Sequence, residues 1–394
     1  MKLFTDPAQC SGCGACVNSC PVHCITMVQD REGFLYPQID QSACTDCGMC
    51  AAVCGQKYQN RQALPQAYAL CHKDRPIVKE STSGGAFTAV CQAFCDDDYV
   101  IFGAGYDGVR SVSHRYVTDL AGLSLFRKTK YVQSDTKKTY TEAKVFLDAG
   151  RKVIFSGTPC QIAGLRSFLR KEYKNLLTVG VICHGVGSPL VYRKYIEYLE
   201  KKYRSKLIRL DFRDKDKHGW EGSEIKAVFK NRRIYRRFSL TYDDPYMIGY
   251  LSCMSVRPSC FSCPFASVPR VADFTVGDLW GADTIVPDMD SRHGLSVLLA
   301  NSQKAKDMLP DIARIAHMEE VSLPAVAGHN LQLREPPVKN PDRDMFMDAV
   351  RRTPFEEVIK RYLKPRPIAN RLATRFISKN VRNKIKAIKT GGQG

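Results

Sequence analysis

The sequence has no run approaching the roughly 20 consecutive apolar residues that a membrane-spanning helix needs, and residues 1–7 lack the long apolar core of a secretory signal. Without a signal, the 17 cysteines do not read as a disulfide framework, and the expected home is a reducing cytoplasm. Carboxylates are short in supply: 40 Asp and Glu stand against 59 Lys and Arg, for a formal net charge of +19. Such an excess suggests nucleic acid. Yet there is no zinc-finger spacing and no convincing helix-turn-helix. Residues 1–58 also run the other way, with three basic against five acidic residues and a net charge of −2. No nucleic-acid partner is expected. An anionic cofactor and a basic tail account for the charge equally well.

What is abundant is cysteine in register. Cys10, Cys13, Cys16 and Cys20, then Cys44, Cys47, Cys50 and Cys54, each follow C-x2-C-x2-C-x3-C. That is the bacterial ferredoxin pattern for two [4Fe-4S] clusters, in which the fourth cysteine of each run ligates the other run's cluster. Cys10, Cys13, Cys16 and Cys54 are expected to hold one cluster, and Cys44, Cys47, Cys50 and Cys20 the other. Gly12, Gly14 and Gly48 permit the tight turns that bring backbone N–H groups towards sulfur. Zinc prefers ligands in pairs, and two triplets-plus-one do not parse that way. Cys24 reads as a small buried hydrophobe.

The chain divides into a ferredoxin-like domain (1–58), a polar linker (59–80), an α/β domain (81–330), and a proline-rich extension with a basic amphipathic helix (331–394). In the first domain a hairpin is expected, turning near Asp30–Gly33, with a second turn at Pro37. Ala67–Leu70 reads as a short strand entering the next domain, and His72 as a packing or surface residue. Ser81 to Gly85 opens a helix from Ala86 to Phe94, and Ser83, Gly84 and Gly85 form a candidate phosphate cradle. Val153–Gly157 reads as a buried strand running through Cys160 into a helix. The strand Leu177–Cys183 ends at His184, and a helix from Pro189 to Tyr203 follows. Sites in α/β folds sit at the carboxyl ends of strands, where Cys160 and Cys183 stand. Cys260 and Cys263 add another C-x2-C, which alone is a redox pair or half a zinc site. With Cys160 and Cys183 they offer four thiolates for a third [4Fe-4S] cluster; the other reading is that they are buried without a ligand role. Asp278 and Asp283 flank Trp280 and could bind a ribityl or ribose, or cap turns. His218 reads as a surface histidine, and Cys91 and Cys95 as core. Beyond Leu323 the prolines suggest an extended wrap or an interface segment. Ile368 to Ile388 has helical apolar spacing with basic residues between, and no acidic residue follows Glu357. Such a helix lies on an anionic membrane, in a partner's groove or against its own protein.

Residues Ser81–Gly85, Lys130–Ser134, Gly157–Leu165, Cys183–Gly185, Arg257–Cys263 and Ala272–Gly281 together resemble the coenzyme F420 hydrogenase/dehydrogenase beta-subunit family. The resemblance covers roughly residues 70–330. It implies a multidomain α+β and α/β fold, with a ferredoxin-like 2[4Fe-4S] domain ahead of an α/β flavin-binding domain. It also implies FAD, and electron exchange between that flavin and the clusters. Carried over by position, Ser83, Gly84, Gly85, Lys130 and Gln133 would touch flavin or its phosphates. Cys160, Cys183, Cys260 and Cys263 would hold the additional cluster. His184 and Asp278 are candidate acid groups. The implied partners are a one-electron donor or acceptor protein and an organic substrate or F420-like carrier. A non-catalytic electron-transfer subunit is the alternative. Relatives of this shape also look like bacterial proteins encoded among surface-polysaccharide genes.

Overall fold

The computed structural model describes residues 3–365, apart from residues 60 and 241. The basic tail helix expected over Ile368–Ile388 lies outside the described residues. A nine-stranded mixed sheet carries the body of the protein. In spatial order its strands are Ala316–Val321, Gln66–His72, Ser296–Ala300, Phe274–Asp278, Leu176–Val181, Lys152–Gly157, Tyr99–Asp107, Ser111–Val117 and Ser134–Asp135. The four from Phe274–Asp278 to Tyr99–Asp107 run parallel to one another. Period-two alternation sends neighbouring side chains to opposite faces. Val153 and Phe155 pack with Tyr140, Ala143, Ile162 and Ala163, from helices Thr139–Asp148 and Pro159–Leu169. Ile154, between them, packs with Ala89, Val90 and Ile312, from helices Ala86–Phe94 and Leu309–Ile315. Both faces are therefore covered, which is why these strands read as nearly continuous apolar runs.

A three-stranded antiparallel sheet, Ile234–Phe238, Glu224–Phe229 and Leu207–Asp214, forms a second layer with helix Pro189–Tyr203. Tyr192, Tyr195, Phe212, Phe229 and Tyr246 make its core. Phe346, Met347, Val350, Phe355 and Val358 enter the same core from helices Arg343–Arg352 and Phe355–Tyr362. The proline-rich stretch is thus largely helical, where an extended wrap was expected. Pro324 occupies the first turn of helix Leu323–His329 and Pro354 is the N-cap of Phe355–Tyr362. Proline's fixed φ and missing N–H suit a helix start.

At the N-terminus, strands Ile25–Gln29 and Leu35–Ile39 form the hairpin. The Asp30 carboxylate holds its turn by accepting from the N–H groups of Glu32 and Phe34 at 2.9 and 2.8 Å. Pro37 makes no second turn. It pairs with Met27 inside the strand, a place open to proline because a two-stranded ribbon is all edge. Within 59–80, Gln66–His72 is paired on both sides in the large sheet and helix Arg75–Glu80 follows. His72 packs with its ring nitrogens on Gln92 (2.8 Å) and the Asp74 N–H (2.9 Å).

Candidate functional site

The two cysteine runs fold as near copies. Gly14 (φ +79°) and Gly48 (φ +74°) each turn the chain into a short helix, Ala15–Ser19 and Met49–Ala52. L-residues with a Cβ adopt that left-handed backbone reluctantly. The Cys10, Cys13 and Cys16 thiols lie in one another's field and in that of Cys54. Cys20, Cys44, Cys47 and Cys50 line a second crevice, so the fourth cysteine of each run faces the other run's triplet. Cys24 is buried in that crevice, its Sγ 3.4 Å from that of Cys20. Backbone N–H groups of Gly12, Ala15 and Val17 point at the sulfurs of Cys10, Cys13 and Cys16. Burial raises these thiols, Cys13 to about 12. Buried sulfurs that gather N–H donors and want a compensating positive charge fit an iron–sulfur cluster. Among the described residues no three His, Cys, Asp or Glu side chains are gathered to hold a single metal ion. Thiolates around a cubane stand further apart than those around one ion, so the two facts are compatible.

A third thiol set stands beside the first. Cys160 lies in the first turn of Pro159–Leu169, whose N-cap Thr158 makes a capping box with Gln161 and places its hydroxyl 3.1 Å from the Cys160 Sγ. Cys183 follows strand Leu176–Val181, while Cys260 and Cys263 come from the 3-10 turn Pro258–Ser262 and its end. Each of Cys183, Cys260 and Cys263 lies in the field of Cys160. Burial raises Cys260 to about 12 and Cys263 to about 11. Backbone N–H groups of Gly185, Val186 and Phe265 point at Cys183, Cys260 and Cys263. Cys160 also reaches the N-terminal domain: it lies in the field of Cys13 and hydrogen-bonds the Ser11 side chain.

That approach depends on two glycines. A Cβ on Gly164 would stand 2.8 Å from the Cys13 sulfur, and one on Gly55 would stand 2.9 Å from the Gly164 Cα. Side chains then fasten the domains together. Gln133 Oε1 accepts from the Leu35 N–H (2.9 Å), and Thr136 Oγ1 donates to the Cys13 carbonyl (3.0 Å). Arg257 donates to the carbonyls of Cys10 (2.9 Å) and Leu35 (3.0 Å), and Arg343 pairs with Glu32 in a buried contact.

Beyond the third set, at the carboxyl ends of the parallel strands, lies a cavity of about 450 Å³. Ser83, Gly85, Lys130, Gln133, His184 and Asp278 line it together with Cys160 and Cys183. Gly84 does not. Its N–H is donated to Ser296 Oγ (2.9 Å), and a Cβ there would lie 2.2 Å from the Leu70 carbonyl oxygen. Gly84 lets the loop press against the sheet and has no free N–H for a phosphate. The Lys130 ammonium is likewise engaged, donating to the carbonyls of Leu125, Phe126 and Arg127 at 3.2, 3.1 and 2.9 Å. Burial holds it down to about 7.

Asp278 is the hub of the cavity. Its carboxylate accepts from Ser83 Oγ, from Arg213 Nη1 (3.1 Å) and from Trp220 Nε1 (3.2 Å). Three donors thus converge on the residue that the sequence offered as an acid group. Trp220 stacks on Trp280 at 5.0 Å between centroids. His184 sits with Nε2 3.4 Å from the Cys253 Sγ and Nδ1 3.3 Å from Gln332 Nε2, and burial lowers its pKa. Arg213 was not anticipated. It is fully buried, lines the cavity, and its Nη2 has no partner. No sequence signal distinguished it, since the strand Leu207–Asp214 also carries Arg209, Asp211 and Asp214. His218 does not line the cavity; it faces Glu224 at 3.9 Å. A buried guanidinium with one unpartnered nitrogen, an aromatic pair and the hydroxyl of Ser83 suit an anionic, planar cofactor such as a flavin.

Residues 9–57 match the 4Fe-4S dicluster domain, and residues 150–324 match the family described as the C terminus of the coenzyme F420 hydrogenase/dehydrogenase beta subunit. No curated protein matches the chain. Among solved structures, a chain of the xenon-derivatized F420-reducing [NiFe] hydrogenase complex from Methanosarcina barkeri matches at 14% identity, over 78% of this chain and 91% of that one, with a TM-score of 0.40. The chain therefore joins a stretch that matches a 4Fe-4S dicluster domain to one that matches the C terminus of the coenzyme F420 hydrogenase/dehydrogenase beta subunit, in an iron–sulfur electron-transfer architecture.

Proposed function

We propose that the protein is an iron–sulfur flavoprotein oxidoreductase, with three [4Fe-4S] clusters and FAD, acting on an organic substrate or an F420-like carrier. The clusters would supply one-electron transfer and the flavin the conversion to two-electron hydride chemistry. The observation that carries this reading is the position of Cys160, against Cys13 on one side and in the cavity wall on the other. Cys10, Cys13, Cys16 and Cys54 would hold the inner cluster of the dicluster domain, and Cys20, Cys44, Cys47 and Cys50 the outer one. Cys160, Cys183, Cys260 and Cys263 would hold the third. The outer set meets solvent at the exposed Cys47, near Asp40 and Asp46, and would receive a one-electron partner with a basic face. Ser83, Gly85 and Arg213 would bind the flavin, and Asp278 would fix the donors around it. His184, buried and ordinarily neutral, would hold or pass a proton at Nε2. Among the described residues no helix is long and apolar enough to cross a membrane. Contact with the inner face of a membrane rests on the tail sequence alone.

Anaerobic purification with iron and flavin counted per chain tests this. About 12 irons and one flavin are expected, falling to about 8 irons in Cys160→Ser. Asp278→Ala removes the carboxylate that Arg213 and Trp220 share and is expected to weaken flavin binding by about 10- to 100-fold. Full iron in Cys160→Ser would refute the third cluster. The alternative, a non-catalytic electron-transfer subunit, draws on the engagement of Lys130 and Gln133 by protein groups. A chain with full iron that takes up no flavin on reconstitution would establish it.

A further inference from the structure

Arg257 belongs, by its backbone, to the loop of the third thiol set. Its N–H donates to the Val186 carbonyl (3.0 Å) and its own carbonyl accepts from the Cys260 N–H (3.0 Å). Its side chain leaves that loop and crosses into the dicluster domain. There Nε donates to the Cys10 carbonyl and Nη2 to the Leu35 carbonyl. The guanidinium lies flat against Tyr36, 4.0 Å from the ring centroid, and near Phe34. It is fully buried. Nη1 has no hydrogen-bond partner and points to the loop at Gly12, 3.1 Å from where a Cβ would stand. Among the described residues no carboxylate comes within ion-pair distance of it. The nearby Asp30 carboxylate is spent on the hairpin turn.

A buried, unpaired cation is costly and needs a counter-charge. The thiols of Cys10, Cys160 and Cys260 all lie in its field, and so, outside ion-pair distance, does the Asp30 carboxylate. Cys10 belongs to the inner set and the other two to the third set. We propose that Arg257 is the shared counter-cation of two adjoining iron–sulfur clusters, and that it sets their reduction potentials together. The inference rests on the cluster assignment under Proposed function. Adding one electron to a cluster adds one negative charge. A fixed guanidinium in the field of the ligand thiols, in a medium of low dielectric, would stabilise that charge and so favour the reduced form. One cation serving both clusters stabilises the electron on either side of the domain boundary. The guanidinium gains and loses no proton in the step. The outer set, from Cys20 to Cys50, lies beyond its reach and keeps a lower potential than its neighbours. Electrons arriving at the exposed Cys47 end are thereby drawn inwards. Lysine would not replace it, because the fork of the guanidinium both holds Cys10 and Leu35 and leaves Nη1 free.

The experiment is a redox titration of the anaerobic full-length protein followed by electron paramagnetic resonance, for wild type, Arg257→Lys and Arg257→Gln. The outer cluster is identified by its altered signal in Cys47→Ser. With Gln, both inner midpoints are expected to move to more negative values while the outer midpoint stays in place. Lys is expected to give a smaller shift of the same two clusters. Where Gln does not retain full iron, the Lys variant alone decides. Unchanged inner midpoints at full iron, or an equal shift of all three clusters, overturn the proposal. Wild type with about 8 irons also overturns it, and shows that the fault lies in the three-cluster assignment.

Discussion

Arg343 fastens the helices Arg343–Arg352 and Phe355–Tyr362 to the first domain, and its removal has a calculable cost. Nη2 and Nη1 meet the two oxygens of Glu32 at 2.5 and 3.3 Å, and Nε donates to the Val256 carbonyl at 2.9 Å. The side chains are 3% and 12% exposed. Arg343→Met keeps most of the apolar stem but strands the Glu32 carboxylate in the interface. Breaking such a pair from one side costs about 3–5 kcal/mol. Lys339 with Asp344 supplies the control, since that pair is 50% and 69% exposed and Lys339→Met should cost at most about 1 kcal/mol. Hydrogen exchange of the hairpin amides, residues 25–39, reads the loss directly. A penalty of about 3 kcal/mol predicts exchange through local opening faster by roughly 100-fold. The double variant Glu32→Gln with Arg343→Met should lose less than the sum of the two single changes. If Arg343→Met exchanged no faster than Lys339→Met, the hairpin would be held by other contacts and the reasoning would fail.

Two further predictions concern the body of the protein. His114 is buried between Ser134 Oγ (2.8 Å) and the Ser156 carbonyl (3.0 Å), and burial holds its pKa down to about 4. The unfolded chain takes up that proton near 6.5, so stability is intact above 6.5 and should fall by roughly 3 kcal/mol as the pH drops towards 4. Denaturant midpoints for His114→Gln should show that loss removed; an unaltered pH profile would exclude His114 as its source. Gly164→Ala places a methyl group against the Cys13 sulfur and the Tyr140 hydroxyl, at 2.8 and 3.1 Å. Overpacking of this kind costs about 1–3 kcal/mol, and the signature expected is an altered resonance spectrum of the inner cluster with the outer one unchanged.

The parts of this protein legible in its sequence are those written in local chemistry. The cysteine runs were readable because ligand spacing is a short-range constraint. The helices Ala86–Phe94 and Pro189–Tyr203 were readable because each has its start signal beside it, a glycine turn in one and Ser188 with Pro189 in the other. Prolines misled where their two uses diverge: Pro37 sits in an edge strand, and Pro324 and Pro354 start helices. Gly84 looked like part of an anion cradle because a glycine pair before a helix has the same letters whether it frees an N–H or lets a loop touch a sheet. Gln133 and Lys130 were carried over by position as flavin contacts, and their partners within the protein, Leu35 and the carbonyls of residues 125–127, could be found only in three dimensions. The side chains that join the domains, Arg257, Arg343 and Glu32, carry no local mark. Their partners lie 222 to 311 residues away.

The same separations impose an order of events on synthesis. The dicluster domain is complete once Tyr58 has been made, but its seats on the larger domain come from Gln133, Gly164, Ser188, Arg257 and finally Arg343. Glu32 must wait for a residue 311 positions later, which at ordinary ribosomal speeds is roughly 15 to 60 s. During that interval the loop of Cys10, Cys13 and Cys16 is open on the side that helix Pro159–Leu169 later covers. In the folded chain Cys10, Cys13, Cys16 and Cys54 keep only partial exposure, so a scaffold protein delivering clusters would find its widest approach to them before that helix has docked.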